Sequence, residues 1–94
     1  MKKLPRDARA AVTGGGSGLG RAICEGWAGR GARVLVTDVN LGTAEETAEI
    51  LRKRGSEAHA MQVDVRKPDQ VEAMAKKANA LWGGTDVLVN NAGL

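Results

Sequence analysis

The residues best suited to chemistry stand near the start of this 94-residue chain, in Thr13-Gly14-Gly15-Gly16-Ser17-Gly18-Leu19-Gly20. Their chemistry is the holding of a phosphate by backbone. Glycine reaches positive φ without steric cost, lets the chain approach a pyrophosphate, and lets a helix pack close to a sheet. The N–H groups at a helix start then meet the phosphate charge. The spacing G-x-G-x-x-G fails, because counted from Gly14 and Gly16 its third glycine falls on Leu19. The spacing G-x-x-x-G-x-G fits, through Gly14, Gly18 and Gly20. Glycine clusters also make ordinary turns, so context must separate the two. Asp38, 18 residues past Gly20, supplies it. A carboxylate near that distance is where dinucleotide folds bind a ribose 2′-hydroxyl. The alternative for Asp38 is a turn residue at a strand end. A 2′-phosphate is repelled by a carboxylate there, neither position 38 nor 39 is Arg, and Ser17 adds no positive charge. The pattern favours NAD over NADP.

These residues must be placed by alternating strands and helices. Ala10-Ala11-Val12 is a short apolar run before the glycines, and Leu19, Ala22, Ile23, Gly26 and Trp27 recur at helical spacing until Gly29 and Gly31. Val34-Leu35-Val36 reads as a buried strand. A second helix over 43–54 has Ala44, Ala48 and Leu51 on one face and stops at Gly55; residues 58–63 form a third strand. Pro68 suits the first turn of a third helix, whose stripe is Val71, Met74, Ala75, Ala78, Leu81 and Trp82, ended by Gly83-Gly84. Val87-Leu88-Val89 reads as a fourth buried strand. The order β-α-β-α-β-α-β predicts an α/β fold with a parallel sheet. Right-handed crossovers give strand order 3-2-1-4, the first two helices on one face and the third on the other, a three-layer Rossmann-type half domain. Residues 1–94 form one unit, with residues 1–8 a loose basic N-terminus.

Thr13-Gly14-x-x-x-Gly18-x-Gly20, Asp38, Asp64-Val65 and Asn90-Asn91-Ala92-Gly93, each at the end of an expected strand, resemble the N-terminal, cofactor-binding half of a short-chain dehydrogenase/reductase. The resemblance implies that the backbone around Ser17 and Leu19 cradles the pyrophosphate and Asp38 holds the adenosine ribose. It implies that Asp64 accepts from the adenine amino group with the Val65 backbone beside it, and that Asn91, Ala92 and Gly93 line the cofactor or brace the sheet. The family's acid/base pair is Tyr-x-x-x-Lys with a Ser. This chain has no tyrosine, and its serines are Ser17 and Ser56, so no catalytic residue is assigned. By the resemblance the chain is truncated after strand four, and it is expected to bind the ADP portion of NAD without turning over an alcohol or ketone.

Composition narrows the alternatives. One His and one Cys exclude a structural zinc site, and the lone Cys24 points to a reducing compartment such as the cytoplasm. No apolar run approaches a membrane span. Net charge is +3, with Lys2, Lys3, Arg6 and Arg9 at the N-terminus and Arg52-Lys53-Arg54 as a second knot. Trp27 and Trp82 are the only aromatics besides His59, so a nucleic-acid surface with stacking platforms is not expected; the charge runs read as a frayed tail and a solvated helix end. His59, Met61, Met74, Cys24 and the tryptophans read as packing residues, and Asp69 and Glu72 as complements to a helix dipole. A second functional class stays open: a non-catalytic assembly module that self-associates or pairs through the exposed edge of strand four.

Overall fold

Short β-branched runs and amphipathic helices form the expected alternation in a computed structural model, which describes residues 7–92. The elements are β1 (Arg9–Thr13), α1 (Gly18–Gly29), β2 (Arg33–Asp38), α2 (Leu41–Lys53), β3 (Ala58–Gln62), α3 (Pro68–Trp82) and β4 (Val87–Asn90). All pairings are parallel and the sheet order is β3-β2-β1-β4. The layout follows from burial: β1 and β2 are apolar on both faces, so each needs a strand on both sides and a helix layer above and below.

Register fixes which side chains share a face. Val12 stands beside Val36 and Val89, while Ala11 stands beside Leu35 and Leu88. The first set packs beneath α1 and α2 on Cys24, Ala28, Ala44, Ala48 and Leu51. The second meets α3 through Met74 and Ala78, joined by Val63. Leu35 and Leu51 are fully buried, each stabilising by about 1.5–3 kcal/mol.

Local signals set the boundaries. Asn40 caps α2, its side-chain oxygen accepting from the Thr43 N–H at 3.2 Å, so the helix begins two residues earlier than its apolar stripe suggests. Pro68 opens α3, and Gly83 at φ 76° closes it.

Four expectations are corrected. The α1 stripe is rotated: Gly20, Cys24 and Ala28 face the sheet, Ile23 and Trp27 flank them, and Leu19 is 64% exposed. Only small side chains fit where the helix crosses the glycine turn. Ala75 of α3 is exposed, because the buried line runs through Met74 and Ala78. β4 is not buried: Leu88 is 55% exposed, since α3 lies over the other strands and β4 has β1 as its one neighbour. Ala8, the last residue of the expected loose N-terminus, belongs to the fold instead. Ala8 is buried, its carbonyl accepts from the Arg33 N–H, and Arg9 begins β1. Lys2, Lys3 and Arg6 lie outside the described residues.

Surface charges are largely paired. Arg9 makes a bidentate pair with Asp86, which ties the start of β1 to that of β4. Arg52 lies near Glu45 and Glu49, and Arg54 near Glu25. His59 packs near Trp82, ring centroids 6.0 Å apart, and Glu57 accepts from the Trp82 indole at 2.7 Å. No helix among the described residues is long and apolar enough to cross a membrane.

Candidate functional site

The carboxyl ends of the strands form one rim, and the turn from β1 to α1 is its centre. Gly14 and Gly18 stand at φ 64° and 55°, the left-handed region that favours glycine. Gly20 is required for a different reason: a Cβ there would sit 1.8 Å from the Gly14 carbonyl oxygen and 2.8 Å from Asn91 Nδ2. A Cβ on Gly18 would meet nothing within 4 Å, so the turn is open outward at the start of α1. Ser17 precedes that helix without capping it by its side chain, leaving the first-turn N–H groups directed to the rim.

The turn is held from three sides. Asn91, just past β4, donates from Nδ2 to the Gly14 carbonyl at 3.2 Å. Asp38, at the end of β2, accepts from the Gly16 N–H at 2.9 Å and from the Asn40 N–H at 3.1 Å. Arg21, a residue sequence reasoning missed, donates to the Gly16 carbonyl at 2.7 Å and to Thr47 Oγ1 at 2.9 Å. Gly16 is thus held through its N–H by a carboxylate and through its carbonyl by a guanidinium. Thr13 adds a link between β1 and β4, its hydroxyl accepting from the Ala92 N–H at 3.1 Å.

Gly14, Asp38, Val39, Asp64, Val65, Arg66 and Ala92 line one cleft of about 370 Å³. Asp64 follows β3, its N–H donating to Gln70 Oε1 at 2.8 Å. Its carboxylate receives a fork from Arg66: Nε to Oδ1 at 3.0 Å and Nη2 to Oδ2 at 2.9 Å, with the Arg66 N–H also on Oδ1. That pairing holds the Asp64 carboxyl well below the usual range, down to about 2. Arg66 was also missed, because a single exposed arginine carries no spacing signal.

Of the residues read from the sequence, Gly14, Asp38, Asp64, Val65 and Ala92 line the cleft, while Ser17, Gly18, Leu19, Gly20 and Asn91 build its turn. Gly93 lies outside the described residues. Cys24 is fully buried beneath the turn, and burial pushes its thiol up to about 12. A larger groove of about 560 Å³ runs along α2 from Gly42 to Lys53 beside Arg21, Glu46 and Ile50. Among the described residues no group of His, Cys, Asp and Glu side chains could hold a metal ion.

Comparison with known proteins bears on the family and the fold. The short chain dehydrogenase family pattern matches residues 8–94. An uncharacterised oxidoreductase of Bacillus subtilis, YxbG, is 39% identical over 85 residues, 90% of this chain and 31% of the relative. An uncharacterised oxidoreductase of Thermotoga maritima is 40% identical, over 88% of this chain and 32% of the relative. The chain therefore spans about a third of the length of these curated relatives. Among solved structures, a hydroxysteroid dehydrogenase from Escherichia coli superposes with a TM-score of 0.89 at 34% identity, covering 93% of this chain and 37% of that one.

Proposed function

This chain belongs to the short-chain dehydrogenase family, and from that premise we propose that its 94 residues act as one unit that binds the adenosine diphosphate half of NAD. The observation that carries the reading is the convergence of Gly14, Asp38, Asp64 and Ala92 on one cleft at the strand ends. The residues present fit the group. Gly18 leaves space where a side chain would intrude, and the N–H groups at the start of α1 are donors suited to a pyrophosphate. Asp38 spends one acceptor position of each oxygen on the chain and keeps others for ribose hydroxyls. Asp64 and the Val65 backbone hold the adenine edge, and Ala92, with Asn91 before it, continues the cleft past β4; the family resemblance assigns Gly93 to the same cofactor segment. Its charge makes Asp38 a poor neighbour for a 2′-phosphate, which supports NAD over NADP.

When bound, the nicotinamide group exchanges a hydride with an alcohol or carbonyl carbon. These residues bind and orient; the family's tyrosine acid/base role falls outside them, since they contain no tyrosine. The free thiol of Cys24 supports a cytoplasmic setting.

Calorimetric titration of the chain with NAD, ADP-ribose and NADP tests this reading, alongside Asp38→Asn, which keeps an acceptor for the Gly16 N–H. NAD and ADP-ribose are expected to bind alike, with NADP at least roughly tenfold weaker, the effect of about 1.4 kcal/mol of charge repulsion. The variant should bring the two dinucleotides close together. A folded chain that binds none of them overturns the proposal.

A second reading, association through the β4 edge, is favoured by the exposure of Leu88 on a strand with one neighbour. Sedimentation velocity of the chain and of Leu88→Lys checks it: a dimer lost in the variant supports association, and a monomeric parent at high concentration removes it.

A further inference from the structure

Gly16 is a glycine of the turn that the spacing G-x-x-x-G-x-G leaves unexplained, since that pattern uses Gly14, Gly18 and Gly20. Its φ lies outside the left-handed region, so conformational freedom does not call for glycine there. Space does. A Cβ at this buried position would lie 2.3 Å from Thr43 Oγ1, 2.8 Å from Thr43 Cβ and 2.8 Å from Asp38 Oδ2. Thr43 stands in the first turn of α2, where its N–H donates to Asn40 Oδ1 at 3.2 Å and its hydroxyl to the Asn40 carbonyl at 3.0 Å. Turning the hydroxyl aside would leave the Thr43 Cβ in place, because the helix backbone carries it. Gly16 is also kept from retreating. Its carbonyl accepts from Arg21 at 2.7 Å, and the Gly15 N–H donates to the Thr37 carbonyl at 2.8 Å. The Asp38 carboxylate, at the end of a rotatable side chain, is the group that can yield.

We propose that Gly16 is a positioning residue: its missing Cβ lets Thr43 close on the turn and keeps the Asp38 carboxylate aimed at the ribose 2′-hydroxyl. Neither Gly16 nor Thr43 lines the cleft, so both act through Asp38. The Gly16 N–H reaches Oδ2 at 2.9 Å and the Asn40 N–H reaches Oδ1 at 3.1 Å, one donor to each oxygen. Two donors on two oxygens orient the carboxylate and leave its remaining acceptor positions pointing one way. A side chain at position 16 would wedge between Thr43 and Oδ2, turn the carboxylate and break the bond from the Gly16 N–H. The negative charge would stay near the ribose while the aimed acceptor is lost. Recognition of the hydroxyl should therefore suffer more than repulsion of a 2′-phosphate, which depends on charge and distance.

The inference rests on the NAD reading above, and the test separates the two. Calorimetry compares NAD with its analogue lacking the adenosine 2′-hydroxyl, for the chain, Gly16→Ala, Thr43→Gly and the double variant, with folding followed by circular dichroism. The parent should bind NAD at least roughly tenfold tighter than the analogue, the effect of one hydrogen bond to a charged group. Gly16→Ala should bring the two ligands within about twofold of each other. Removing the Thr43 side chain makes room for the new Cβ, so the double variant should return to within about threefold of the ratio in Thr43→Gly. An unchanged ratio in Gly16→Ala overturns the role of Gly16. A ratio that stays low in the double variant overturns Thr43 as the wall. A Gly16→Ala chain that no longer folds puts the strain in the fold and not in Asp38, which also overturns the inference. A parent that binds NAD and the analogue alike overturns this inference and keeps the NAD reading; a folded parent that binds neither overturns both.

Discussion

Replacing Gly20 by alanine tests how closely α1 must approach the turn that feeds it. The new Cβ would lie 1.8 Å from the Gly14 carbonyl oxygen, whereas real Cβ atoms essentially never come within 3.0 Å. Helix and turn must therefore separate by at least 1.2 Å, the difference of those distances. The two nearest atoms are Gly14 backbone, which cannot swing aside as a side chain would, and the third is the Asn91 side-chain amide. Overpacking of this kind costs about 1–3 kcal/mol, and weakening the bond from Asn91 to Gly14 adds about 1 kcal/mol. Alanine returns up to about 1 kcal/mol of helix propensity. The net expectation is about 2 kcal/mol of destabilisation, or a melting temperature lower by roughly 8–16 °C for a domain of this size. Gly26→Ala, in the same helix, is the control. Nothing lies within 4 Å of its Cβ, so propensity acts alone and stability should rise by about 0.5–1 kcal/mol. Urea unfolding followed by tryptophan fluorescence reads both variants. If Gly20→Ala matches Gly26→Ala in sign, the contact does not constrain the helix and the reasoning fails.

Other expectations concern charge and the buried thiol. Arg9 holds the Asp86 carboxyl down to about 2, below the unfolded value of about 3.9. A depressed carboxyl stabilises above its unfolded pKa, so the contribution is present above about pH 4 and is lost as pH falls toward 2. The gap in melting temperature between the chain and Asp86→Asn should accordingly close over that window; a gap constant down to pH 2 argues against the pairing. Cys24, buried and pushed up to about 12, should react with a disulfide reagent at neutral pH only when the fold opens. Gly20→Ala should then accelerate labelling roughly 30-fold, in step with its loss of stability, whereas rapid labelling of the folded parent would place the thiol at the surface. Arg21→Ala removes one side of the clamp on Gly16 and should weaken ADP-ribose binding more than adenosine binding, which calorimetry with both ligands compares. Equal losses for the two would make Arg21 a general stabiliser and not a support for the phosphate turn.

Much of this molecule is written in local sequence. Gly14, Gly18 and Gly20 declare the turn because no other residue meets their two demands, positive φ and absent Cβ. Apolar runs at Val34-Leu35-Val36 and Val87-Leu88-Val89 mark strands, and crossover handedness orders them 3-2-1-4. Asp38 and Asp64 were legible because each ends or follows a strand whose carboxyl end faces the rim. Tertiary structure alone decided which side of α1 is buried. Hydrophobic periodicity pointed to Leu19 and Gly26, but the close crossing over Gly14 admits only Gly20, Cys24 and Ala28. It decided that β4 is half exposed, since an apolar run reads the same at a sheet edge as in its centre. It also brought Arg21 to Gly16 and fixed the Arg66 fork on Asp64. A charged side chain declares its partner only when the fold sets the distance between them, because attraction between charges depends on separation and burial, neither of which local sequence specifies.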